Sequence, residues 1–405
     1  MPRESPARAV IVGASLAGAR TAQGLRRGGW AGPITMIGAE PHPPYDRPPL
    51  SKGFLLGRVD QAGIALLSAE RFAGLGVDLR LGRAAVGLDP AARHVALADG
   101  TRVGYDALVV ATGSVPRALP DPAMDGPSTG VHVLRTLDDA LALRASLTAG
   151  ARVVVVGGGF IGAEIASACR ALDLDVAIVE ADKALMGRGL GGRLGTAAAV
   201  RHAAHGVRVL LGRRVVRLHG RARPTAVELD DGTELPADVV VVGVGSRPAT
   251  DWLEGCGLTL DDGVVCDETL AAVGVEDVYA VGDVARWRAR RYGTTLRTEH
   301  WTAAGEQAAA VAATLCGTPT EYDPVPYVWS DQFGARLQIF GRVRPADEVV
   351  VLDGDPEGDR FVAVAGGDGR MQGVVALNAA KEAVRLRRSL SEGASWPSVV
   401  DDLRG

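Results

Sequence analysis

Apolar residues along this chain gather in short unbroken runs that stop at glycine. Ala9 to Val12 runs into Gly13, Val153 to Val156 into Gly157, and Val239 to Val242 into Gly243. Runs of this length, apolar at every position and stopped by glycine, predict strands that lead into tight turns. After Gly157 the period changes. Ile161, Ile165, Ala168 and Leu172 recur at helical spacing, and a further apolar run, Val176 to Val179, ends on Glu180. The order is strand, glycine turn, helix, strand and terminal acid, which predicts a dinucleotide-binding βαβ unit.

The spacing follows from the chemistry. Gly157 permits the tight turn, Gly159 lets backbone N–H groups approach a pyrophosphate, and Gly162 lets the helix sit close to its strands. The helix N-terminus offers unpaired N–H groups and a partial positive charge. Glu180, 23 positions after Gly157, is placed to accept hydrogen bonds from an adenosine ribose. Its charge repels a 2′-phosphate and predicts NADH rather than NADPH, although Lys183 lies close by.

The same order occurs earlier. A strand at Ala9 to Val12, the turn GASLAG from Gly13 to Gly18, a helix to about Arg27 and a strand at Ile34 to Ile37 lead to Glu40. Ser15 replaces the middle glycine; it adds little bulk, and its hydroxyl is able to reach a phosphate. Apolar runs ending in glycine, Ala107 to Gly113 and Val239 to Gly245, follow in each half. This internal repeat predicts two dinucleotides in one chain, one delivering electrons and one receiving them. Between Glu40 and Leu55 stand five prolines, which predict a rigid extended segment without helix. It carries Arg47 and Lys52.

Composition narrows the classes. With 405 residues, 47% of them hydrophobic, the chain is long enough for two or three domains. A net charge of −4 favours neither nucleic acid nor a membrane surface. A short polar lead enters the first strand directly, with no spanning apolar run, so a cytoplasmic protein is expected. The four cysteines form no C-x-x-C pair, Cys169 and Cys316 fall in predicted helices, and the histidines have no metal-ligand spacing. His202 and His205 are expected on a solvated helix face. Redox chemistry therefore points to organic cofactors and no metal.

The first fingerprint, Glu40, PYDRPPLSK, the ATG of Ala111 to Gly113, GGGFIGAE and YAVGD (Tyr279 to Asp283) occur together in this order. Together they resemble the FAD-containing, NADH-dependent ferredoxin reductases of bacterial oxygenase systems, over essentially the whole chain. The resemblance implies an α/β, glutathione-reductase-like fold. Two Rossmann-type dinucleotide-binding domains would be joined by a small α+β carboxy-terminal interface domain. FAD would be held by residues 1–115 and 247–322, NADH by an inserted domain at 116–246, and the interface domain would span 323–405. A proline-rich linker, Pro116 to Thr129, marks the first crossover.

Residue by residue, the resemblance implies FAD contacts from Gly13, Ser15, Ala17, Gly18 and Glu40 in the first nucleotide fold. Arg47, Lys52, Ala85, Thr112, Gly113 and Arg135 would add to them. Gly282 and Asp283, delivered by an apolar strand to the start of a helix, would meet the ribityl chain, and Trp301, opening a helix to Leu315, the pyrimidine end. NADH would lie on Gly157, Gly159, Phe160, Ile161, Gly162, Glu180, Gly243 and Gly245. Lys52 and Glu164 would form a polar pair beside the reactive flavin edge.

The implied partner is an iron–sulfur ferredoxin, of 2Fe–2S type, serving a haem-thiolate monooxygenase or a Rieske dioxygenase. Arg286, Arg288, Arg290 and Arg291, the most basic window in the chain, would meet this acidic partner; the same window also fits a solvated charged face. Trp329 would line the partner side. Monomer and homodimer both stay open. A second class on the same fold, a disulfide reductase or peroxidase, needs a thiol near the flavin, and no cysteine precedes Cys169. A cysteine-independent NADH oxidase and a flavoprotein similar to apoptosis-inducing factors remain as alternatives.

Overall fold

A computed structural model describes residues 7–119 and 129–401. The lead before Ala7 and most of the expected linker, residues 120–128, lie outside the described residues. The chain gathers into two compact units. One holds the chain up to Asp46, Gln61–Val115 and Ser246–Pro324; the other holds Arg47–Asp60, Pro116–Gly245 and the chain from Val325.

The first unit is built on a five-stranded parallel sheet in the order Val278–Ala280, Ala107–Val110, Ala9–Val12, Ile34–Ile37, Val77–Arg80. Every residue of the three inner strands is buried, which explains runs without polar alternation. The helices Leu16–Arg27 and Trp301–Leu315 pack together so closely that a Cβ on Gly24 would stand 2.6 Å from Ala312 Cβ. Antiparallel strands Ala85–Asp89, His94–Leu97 and Arg102–Gly104 form a separate small sheet.

The second unit repeats the plan. Its parallel sheet runs Arg208–Leu211, Asp175–Glu180, Arg152–Val156, Val239–Val242, Val131–His132, again with the glycine-turn strand in the middle. An antiparallel sheet of five strands follows, ordered Tyr327–Gln332, Ala335–Gly341, Arg370–Leu377, Phe361–Gly367, Glu348–Gly354, with the Ala380–Ser391 helix packed on it. The expected α/β architecture with two nucleotide folds is therefore present.

Three expectations need correction. Pro48–Ser51 forms a 3₁₀ turn rather than extended chain, because proline at the first helical position gives up only an N–H that has no partner there. The Gly-Asp of Gly282–Val284 opens one 3₁₀ turn, not a full helix. Ala285–Ala289 then pairs as a strand with Val264–Cys266 and Thr294–Leu296. His202 is 1% exposed rather than solvated; its Nδ1 lies 2.8 Å from the Ala198 carbonyl and its ring stands edge-on to Phe333. Phe333 is distant in sequence, so no local pattern announces this burial.

Burial pushes the His202 imidazole down to about 4, and His132 and His300 shift the same way. An unfolded histidine takes up a proton near pH 6.5 that the folded form refuses. The stability contributed by these burials is therefore fully present above about pH 6.5 and is lost as the pH falls toward 4. Urea midpoints should drop between pH 7.5 and 5, and His202→Gln should flatten that slope. An unchanged slope in the variant would remove His202 from the effect.

Candidate active site

In the first unit the glycine turn is held by contacts that exclude any side chain. Gly13 has φ +125°, and a Cβ there would overlap the Ala111 carbonyl oxygen. A Cβ on Gly18 would overlap the Gly13 carbonyl in turn. Ser15 is the extended N-cap of the Leu16–Arg27 helix, and its side chain makes no cap bond to the first turn. Gly282, at φ +78°, comes up beside this turn: a Cβ on it would sit 3.2 Å from Ala17 Cβ. The result is a cradle that side chains would fill.

Around it the expected residues collect at the carboxyl ends of the parallel strands. Glu40 follows the Ile34–Ile37 strand and accepts a hydrogen bond from the Tyr45 hydroxyl at 2.5 Å. Gly82 and Arg83 donate backbone N–H bonds to Glu40 and Gly38, which brings Ala85 to the same end. Thr112 Oγ1 donates to the Ala249 carbonyl at 2.9 Å, Gly113 is left-handed at φ +71°, and Ser114 Oγ donates to Asp283 Oδ2 at 2.9 Å. Trp301 starts its helix and donates its indole N–H to Asp46 Oδ1 at 2.5 Å.

Arg47, Lys52 and Arg135 belong to the second unit. Arg47 donates to the Arg135 carbonyl. Lys52 Nζ lies 2.6 Å from Glu164 Oε2, with side-chain exposures of 20% and 3%. Ser51 Oγ donates to the same oxygen at 2.5 Å and Ser330 Oγ to Oε1 at 2.7 Å. Glu164 is a buried acid with a complete set of partners.

The second glycine turn mirrors the first. Gly157 has φ +105°, and a Cβ would overlap the Gly243 carbonyl; Gly245 is left-handed at φ +101°. A Cβ on Gly162 would overlap the Gly157 carbonyl, whereas one on Gly159 would meet nothing within 4 Å. The turn is thus tight behind and open in front. Gly159 caps the Phe160–Ala171 helix, whose second residue Ile161 is 45% exposed. The Glu180 carboxylate accepts N–H bonds from Gly158 at 2.6 Å and Asp182 at 2.8 Å, so its position is fixed beside the turn. Two such cradles, each ending on an acid, fit two dinucleotides.

Two of the four thiols are not built for chemistry. Burial pushes Cys169 and Cys266 up to about 12, so neither is a thiolate near neutral pH. The basic window is partly neutralised. Arg286 pairs with Asp261 at 2.8 Å and Arg290 with Glu321 at 2.6 Å, while Arg291 N–H donates to Asp323. Arg288 points outward from the same strand as the buried Trp287. Trp329 stacks on Tyr327 with centroids 6.0 Å apart.

The sequence profile of the family described as pyridine nucleotide-disulphide oxidoreductase matches residues 7–308. The chain belongs to the pyridine nucleotide-disulphide oxidoreductase family. A reductase carboxy-terminal profile matches residues 327–401. The chain is 37% identical over 383 residues to rhodocoxin reductase of Rhodococcus erythropolis, covering 94% of this chain and 89% of that protein. It is 36% identical to the biphenyl dioxygenase system ferredoxin–NAD(+) reductase component of Paraburkholderia xenovorans, covering 92% and 90%. The solved covalent complex of putidaredoxin reductase with putidaredoxin aligns with a TM-score of 0.92 at 31% identity, covering 96% of this chain and 94% of that one.

This member of the pyridine nucleotide-disulphide oxidoreductase family is an enzyme of redox chemistry. Among its described residues no helix is long and apolar enough to cross a membrane. Ser330 and Gln307 receive no site role from the sequence pattern, and Ser51 enters it only as a member of the PYDRPPLSK segment. Gln307 is fully buried and accepts the Gly282 N–H at 2.7 Å; its one hint is a lone amide amid alanines. Ser330 is fully buried in a strand between Trp329 and Asp331, where only the fold reveals its partner.

Proposed function

We propose that this chain is an NADH-dependent ferredoxin reductase carrying FAD. The carrying observation is the pair of glycine cradles with fixed terminal acids, built twice on one plan within a family of oxidoreductases. Gly13, Ser15 and Gly18 would hold the FAD pyrophosphate through backbone N–H groups, and Glu40 would receive the ribose hydroxyls. Gly157, Gly159 and Gly162 do the same for NADH, with Glu180 at its ribose. Asp283 and Trp301 would orient the flavin held by the first unit. FAD held in the first cradle would supply the chemistry that accepts electrons in pairs from NADH and passes them on singly to an iron–sulfur acceptor. Hydride transfer depends on alignment more than on proton transfer, so Glu164 serves by fixing the Lys52 ammonium in place.

The partner is a ferredoxin, of 2Fe–2S type, feeding an oxygenase. The rhodocoxin, biphenyl dioxygenase and putidaredoxin names carried by similar proteins support this reading. Arg288 and Trp329 are its docking candidates, since Arg286 and Arg290 already hold acids of this chain. The test is NADH-driven reduction of purified 2Fe–2S ferredoxins by the FAD-loaded protein. Ferredoxin should be reduced well ahead of oxygen; if every candidate is slower than oxygen, the proposal falls.

Glu180→Ala should narrow the preference for NADH over NADPH by about tenfold, because a carboxylate facing a 2′-phosphate costs on the order of a kcal/mol or more. The ratio of kcat/KM for the two nucleotides measures it. An unchanged ratio takes Glu180 out of that role.

A further inference from the structure

The discrimination against a 2′-phosphate has a second component, and it rests on the reading of Gly157 to Glu180 as the NADH site. Glu180 ends its strand with its carboxylate fixed by the Gly158 and Asp182 N–H groups. The neighbouring parallel strand pairs Leu211 with Glu180. Beyond it the chain stays attached: Gly212 N–H donates to the Asp182 carbonyl and Arg213 N–H to the Glu180 carbonyl, each at 3.0 Å. Arg213 thus branches from a backbone that is one hydrogen bond from the ribose acid. A guanidinium in that position is the group best suited to pair with a ribose 2′-phosphate.

Arg213 is otherwise engaged. Its Nε lies 2.7 Å from Asp231 Oδ2, and Asp231 sits in the turn between the strands Ala226–Leu229 and Glu234–Pro236. Asp231 Oδ1 accepts the Thr233 N–H at 3.0 Å, so the turn itself holds this acid in place. That bond, with Arg213 adding to it, keeps the Asp231 carboxyl below its usual range. The side chains are 44% and 35% exposed, which makes the pair a light restraint rather than a structural strut.

We propose that Asp231 is a positioning residue for nucleotide choice: it draws Arg213 into an ion pair and so withholds the cation that a 2′-phosphate needs. NADPH is then refused twice, by repulsion from Glu180 and by the engagement of Arg213. It follows that removing Glu180 alone recovers only part of the latent affinity.

Four FAD-loaded proteins test this: wild type, Glu180→Ala, Glu180→Ala/Asp231→Asn, and that double variant with Arg213→Ala. Asparagine keeps the acceptor for the Thr233 N–H and removes only the charge. Calorimetric titration with 2′,5′-ADP and with ADP reads the 2′-phosphate preference without turnover. The ratio of the two affinities should shift toward 2′,5′-ADP by about tenfold in Glu180→Ala. It should shift about fivefold further on adding Asp231→Asn, the effect of one guanidinium freed to hydrogen-bond the phosphate. Arg213→Ala should cancel that second shift. No second shift, or one that survives loss of Arg213, overturns the proposal while leaving the NADH site standing. A wild-type protein that binds neither ADP nor NADH overturns the site reading and this proposal with it.

Discussion

Glu164→Ala is expected to slow NADH oxidation by the FAD-loaded protein at least tenfold and to lower its unfolding free energy by about 3 kcal/mol, the cost of stripping a buried ion of its partner. Glu164 accepts from Lys52, Ser51 and Ser330 in a nearly closed environment. Without it, the Lys52 ammonium keeps only the Pro48 carbonyl at 3.2 Å among the bonds described, the buried Ser330 hydroxyl loses its acceptor, and Ser51 Oγ is left with the Pro48 carbonyl at 3.5 Å. A double variant, Lys52→Met/Glu164→Gln, separates the two effects. Removing both charges together should restore much of the stability, because no unpaired ion remains, yet turnover should stay low. Ferricyanide-coupled NADH oxidation and urea unfolding supply the two readouts. A Glu164→Ala enzyme running at full rate would reduce the pair to a structural feature.

Gly13→Ala should give a protein that emerges without its yellow colour and is less stable by about 3 kcal/mol or more. Two costs add at this position. Alanine is strained at φ +125°, and its Cβ would overlap the Ala111 carbonyl oxygen, a backbone atom just past the end of the neighbouring central strand. Relief requires moving either strand, and both are buried along their length. The absorbance ratio at 450 and 280 nm after reconstitution with FAD reports the loss. The equivalent Gly157→Ala should leave the colour and remove NADH binding, since its Cβ would overlap the Gly243 carbonyl in the second cradle. Colour retained in full by Gly13→Ala would show that the turn is not the flavin cradle.

The strands and glycine turns were legible because their causes are local. A strand buried on both faces is apolar at every position, and a turn with positive φ demands glycine wherever the chain folds. Val153–Val156, Gly157, Gly162 and Glu180 therefore carried their roles in plain view. The acids were legible for the same reason: the distance from turn to strand end is set by helix and strand length. The exact form of the proline segment was less so, since proline restricts φ without choosing between extended chain and a 3₁₀ turn.

What stayed hidden was every property that depends on a partner far along the chain. His202 looks like a surface residue of the Gly187–Ala204 helix until Phe333 covers it. Arg286 and Arg290 look like free charge until Asp261 and Glu321 reach them. Ser330 and Ser51 look incidental until the fold brings both to one carboxylate, and Asp231 looks like a turn residue until it meets Arg213. The sequence alone settled that this chain makes two dinucleotide cradles, because backbone conformation and burial are written into residue type and spacing. Only the tertiary structure decided which charges are spent within the chain and which remain available. An ion pair forms between groups brought within a few ångströms, and sequence separation says nothing about that distance.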